Sequence, residues 1–318
     1  MEPAAEQSPP RATPAGAKSA LAFFGVVLAL FLPAMLAQLA SPVAGLAATQ
    51  LFVFLLPALV ATAGSNLRAV PYLRVGATRP ALVLLGALAG SAAYLVAGSV
   101  MTVTQRLLPE SWVQAYDLTR LFEGPGWEKI ALALLASVLA PACEEITFRG
   151  YLQTTLALRR SPRAAIALGA FLFAALHLDP VRFPALLVLG ALFGWLTWRA
   201  GSIWPAVAAH AANNGLAAGL LLAAGVPEPP PAPSLGVIAA ALVAGAGALA
   251  LLLALYRAAA PSPPPAPGSG VALRDPASLS IAFDPSRVPR ALAAFALAGA
   301  AALVVLAALG LARGLGRA

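Results

Sequence analysis

The chain has 318 residues, 60% of them hydrophobic and 10% charged, with a mean hydropathy of +0.85; soluble domains run near half and a quarter. This composition excludes a soluble globular domain, and a single cysteine excludes a disulfide-stapled secreted one. The net charge of +8 comes from basic residues scattered between apolar runs, so no basic stripe marks a nucleic-acid partner.

In chain order, residues 1–17 are rich in Pro and Ala and read as a disordered tail. A bilayer core needs about 20 apolar residues per spanning helix. Windows of that kind lie at 19–40, 45–64, 81–103, 203–225, 235–256 and 290–312. Three central segments, 129–158, 164–178 and 184–198, are shorter or more polar, as spans that line an interior cavity often are. The pattern predicts an all-α polytopic bundle of eight to nine spanning helices, nine by this count. Residues 18–257 form its transmembrane domain, with a core at about 128–225. The Pro-rich stretch 258–289 reads as a linker loop, and 290–318 as a last spanning helix and tail.

With the N-terminus inside, thirteen basic residues fall on the non-translocated side and six opposite, which favours that topology. Ala34, Ala37 and Ala40 imitate a signal-peptide cleavage region, but the preceding apolar run exceeds a usual signal core. The first helix is therefore expected to stay. Small residues at many positions suit close helix packing.

Charged side chains in mid-helix cost several kcal/mol, so those present are functional candidates. The segment LAPACEEITFRGYLQ carries Glu144, Glu145 and Arg149. Glu145 and Arg149 stand at i and i+4, where an ion pair forms, while Glu144 points about 100° away and is the freer carboxylate. FLFAALHLDP places Phe173 and His177 at i and i+4, and IWPAVAAHAANNG does the same for His210 and Asn214. These are the only two histidines of the chain. One carboxylate, two imidazoles and one amide on three hydrophobic helices make an acid/base and oxyanion inventory. Cys143 beside them reads as a small buried hydrophobe, and Trp195, Trp198 and Trp204 as an interfacial belt. Arg159, Arg160 and Arg163 read as a topology signal.

The chain resembles the CAAX-protease and bacteriocin-processing (CPBP) intramembrane endopeptidases, which include the type II CAAX prenyl endopeptidases. The family pattern EExxxR, FxxxH and HxxxN is matched in order by Glu144-Glu145 with Arg149, by Phe173 with His177, and by His210 with Asn214. The resemblance covers about residues 142–215. It implies that Glu144, with His177, activates a water for hydrolysis of a peptide bond, that His210 and Asn214 hold the oxyanion, and that Glu145 and Arg149 support them. The family was long described as metallopeptidases, and Glu144, His177 and His210 match a three-ligand zinc site in type. A metal-free glutamate peptidase is the favoured reading, zinc the alternative, and no nucleotide cofactor is expected.

The expected partner is a membrane-embedded or lipid-anchored protein or peptide, and the expected location a bacterial cytoplasmic membrane. In a bacterial setting prenylated CAAX substrates are not expected. A proton-coupled transporter using the buried Glu and His groups is a rival from another class, although no inverted repeat is visible. A non-catalytic membrane scaffold is the third.

Overall fold

The structure, a computed structural model, describes residues 16–117, 119, 124–224, 233–260 and 283–315. Most of the expected N-terminal tail and residues 261–282 of the expected linker lie outside the described residues. The described residues contain no strand and form an all-α bundle. Its long helices are α1 (Gly16–Ala40), α2 (Pro42–Ala63), α3 (Pro80–Leu107), α4 (Gly126–Ala157) and α5 (Pro162–Leu176). They continue with α6 (Phe183–Ala200), α7 (Trp204–Ala224), α8 (Leu235–Ala259) and α9 (Arg290–Leu315).

Eight of these are long and apolar enough to cross a membrane. The exception is α5, whose 15 residues are too few for a full span of about 20. Its ends are fixed locally. Ser161 accepts a hydrogen bond from the Ala164 amide at 3.3 Å, and Pro162 follows in the first turn, where its missing N–H costs nothing. At the other end, Leu178 takes a left-handed backbone conformation with φ 51° and stops the helix one residue after His177. The protein is an integral multi-pass membrane protein.

Two long helices change pitch where proline demands it. Interior proline lacks an N–H and clashes with the carbonyl four residues back, and a wider π-turn relieves both. In α2 a π-helical stretch, Thr49–Leu55, precedes Pro57; in α4 another, Leu135–Leu139, precedes Pro141. A third π-stretch, Ile146–Leu152, follows the two glutamates with no proline behind it.

The helices around the site pack through small residues. Gly86 and Gly90 of α3 lie against the backbone carbonyls of Pro205 and Ala209 on α7, so close that a Cβ at either glycine would overlap them. This contact brings α7, and with it His210, deep into the bundle. The αL residue Gly201, φ 69°, closes α6 and turns the chain into α7. By contrast, α8 and α9 are little covered, with 11% and 17% of their spanning windows buried, and they carry exposed Leu and Val.

Candidate active site

The fully buried Glu145 is the centre of a closed polar cluster. Arg149 Nη1 donates to its Oε1 at 2.8 Å, the expected i, i+4 ion pair. His210 Nδ1 lies 2.9 Å from the same oxygen, so α7 is tied to α4 through one carboxylate. Arg149 also donates from Nη2 to the Gly190 carbonyl at 3.0 Å, and its guanidinium carbon sits 4.5 Å from the Phe173 ring centre and 5.3 Å from that of Phe193. The His210 ring stacks on Phe193 at 4.8 Å and meets the edge of Phe173 at 5.9 Å. The guanidinium thus lies over aromatic faces, which favour cations, and the imidazole packs between one ring face and one ring edge.

Glu144 faces a different space. Among the described residues no cation makes an ion pair with it, and its Oε1 accepts a hydrogen bond from Gln50 Nε2 of α2 at 3.2 Å. Gln50 sits in the π-stretch of α2 and is itself buried. It was not among the residues singled out in the sequence. The available signal was an amide in the middle of the otherwise apolar run LAATQLFVFLL, where a buried polar group needs a partner.

A partly open cavity of about 250 Å³ is lined by Glu144, His177, His210, Asn213 and Asn214 together with Phe173, Tyr94, Arg182 and apolar residues of α3 and α6. At ~30 Å³ per molecule it has room for several waters. The four residues expected to share a pocket therefore do so, drawn from α4, α5 and α7. Glu145 and Arg149 are not on its wall.

Each side chain on the wall is oriented by a neighbour. His177 Nδ1 donates to the Phe173 carbonyl at 2.8 Å, and the two rings meet edge-on at 4.9 Å. With the Nδ1 proton held there, Nε2 of a neutral ring is a bare lone pair. Asn214 is held through α4. The Ala140 N–H reaches back five residues to Leu135, and Pro141 has no N–H, so the Ala136 carbonyl lacks its helical partner. Asn214 Nδ2 fills that vacancy at 3.0 Å, and Asn213 Nδ2 donates to Asn214 Oδ1 at 3.1 Å. One N–H of the Asn214 amide remains for another acceptor.

The sequence places His210 beside Asn214 at i, i+4 as an oxyanion donor and does not point to Glu145 as its partner; in the structure its Nδ1 is taken by Glu145, so only its other nitrogen is left for the cavity. The reason is the small-residue contact of α3 and α7, which sets the depth of His210 independently of the i, i+4 spacing.

Among the described residues no three His, Cys, Asp or Glu side chains converge as a metal-binding set. Glu144, His177 and His210 share the cavity wall without the convergence that three zinc ligands need. The arrangement does not fit a zinc site. Cys143 is buried in the apolar core.

Residues 126–216, under a third of the chain, match the family model "Type II CAAX prenyl endopeptidase Rce1-like". That segment contains all three motifs, and it agrees with the family resemblance read from them. No curated protein and no solved structure matches the chain.

Proposed function

We propose that the protein is a glutamate-dependent intramembrane endopeptidase acting on a membrane-embedded or lipid-anchored protein or peptide. The observation that carries this reading is the division of adjacent carboxylates: Glu145 is buried and tied through Oε1 to both Arg149 and His210, while Glu144 opens onto a water-sized cavity shared with His177, His210 and Asn214. The family match of residues 126–216 supports the same reading.

Glu144 takes a proton from a water in the cavity, and the resulting hydroxide adds to the peptide carbonyl carbon. His177, with Nδ1 anchored on Phe173, assists at the water through Nε2. The developing oxyanion accepts the second Asn214 N–H and, when His210 carries both protons, the His210 Nε2–H, since Nδ1–H is committed to Glu145. The proton then passes to the leaving amine as the C–N bond breaks. Glu145 and Arg149 hold His210 in place. The natural setting fits a bacterial cytoplasmic membrane, with a membrane-anchored peptide as substrate.

The test is cleavage of a membrane-tethered peptide library by the purified protein in detergent, comparing wild type with Glu144→Ala and Asn214→Ala, with and without a chelator. Cleavage by wild type in both lanes, lost in both variants, is the expected result. Cleavage that vanishes with chelator alone overturns the metal-free mechanism, and a wild type that is folded but cuts nothing turns attention to partner capture.

A further inference from the structure

The turn that places His177 also places a cation. Residues Leu178 to Arg182 join α5 to α6, and the buried Asp179 organises them: its Oδ1 accepts the amide N–H groups of Val181 and Arg182, both at 2.9 Å, and its Oδ2 accepts Arg182 Nε at 2.5 Å. The left-handed Leu178 lies between His177 and Asp179, so the imidazole and the guanidinium are set by one rigid turn.

The pair is asymmetric. The Asp179 side chain is 1% exposed and the Arg182 side chain 30% exposed. Asp179 is not part of the cavity wall, whereas Arg182 lines it with Glu144, His177, His210 and Asn214. It is the only Arg or Lys among the described residues on that wall. Asp179 occupies Nε, which leaves the two terminal nitrogens, the fork that binds a carboxylate through two parallel hydrogen bonds. A surface arginine needs no such fixing; a recognition arginine does, because its side-chain entropy is lost before the ligand arrives.

We infer that Arg182 is a specificity-determining residue that binds a carboxylate of the peptide substrate, either its free C-terminus or an acidic side chain close to the scissile bond. The inference rests on the peptidase reading of the cavity. Arg182 stands on the same wall as the hydrolytic residues, so the recognised carboxylate lies within a few residues of the bond that is cut. Arg182 acts on binding, and the bond-making groups are others.

Binding can be read apart from hydrolysis in the full-length Glu144→Gln protein. Three matched membrane-tethered peptide sets are equilibrated with it in detergent, and the retained peptides are quantified by mass spectrometry: free C-terminal acids, the same peptides as amides, and amides with one internal glutamate. Cleavage by the Glu144-intact protein is followed separately, so failure of the peptidase reading shows up there. We expect one carboxylate-bearing set to be enriched about tenfold over the plain amides, and Arg182→Gln to abolish the enrichment while leaving amide retention unchanged. Arg182→Lys keeps a cation beside Asp179 and the turn intact, but should lose most of the enrichment with the fork. Enrichment of the free acids identifies a C-terminal carboxylate, and enrichment of the glutamate set an internal one. Equal retention of all three sets, or an enrichment that survives Arg182→Gln, overturns the inference.

Discussion

The two sides of α4 differ more than two neighbouring residues usually do. Toward α6 and α7, Glu145 is enclosed with Arg149 and His210 in a cluster that matches charge with charge and fills its space with aromatic rings. On its other side, Glu144 holds one hydrogen bond from Gln50 of α2 and faces a cavity. A buried ion pair contributes little net stability, yet removing one partner leaves an uncompensated charge and is strongly destabilising. The closed side therefore secures the geometry, and the open side is left free for chemistry. Farther out, α8 and α9 are little buried and carry no part of the site.

The sharpest way to break the comparison is Glu144→Gln, which keeps the shape and removes the base. Peptide cleavage should fall by about 10²–10⁴-fold, with the thermal midpoint little moved. Arg149→Met works from the closed side: it strands Glu145, and thermal or denaturant unfolding in detergent should show a loss of about 3–5 kcal/mol. Asn214→Ala removes an oxyanion donor and should lower kcat by about 10²–10³-fold with KM little changed, as single-turnover kinetics will show. Gln50→Leu removes the Glu144 partner, and a rate loss of about tenfold is expected, read in the same cleavage assay. The smallest effect belongs to the exposed Leu297→Ala on α9, where stability should change by less than about 0.5 kcal/mol.

The fold and the membership of the site were legible for different reasons. Helices in a bilayer announce themselves by length and apolarity, and expensive charges such as Glu144, Glu145 and Arg149 stand out against them. The i, i+4 pair of Glu145 and Arg149 follows from helix geometry alone. What lies between helices was hidden. The Glu145–His210 bond spans 65 residues and depends on how closely Gly86 and Gly90 admit α7. Gln50 reaches Glu144 across 94 residues, and Asn214 takes a carbonyl that Pro141 leaves unpaired on another helix. Local periodicity carries no information on such contacts. Segment 164–178 was expected to span, but as α5 it is too short, because Leu178 ends the helix to form the turn that serves Arg182.

The division of labour between the two glutamates is tested most directly by one paired measurement: cleavage rate and thermal unfolding of Glu144→Gln and Glu145→Gln, side by side in the same detergent. The account predicts a stable but inactive Glu144→Gln protein and a Glu145→Gln protein whose unfolding midpoint drops clearly. A Glu144→Gln protein that still cleaves, or a Glu145→Gln protein as stable as wild type, would contradict it.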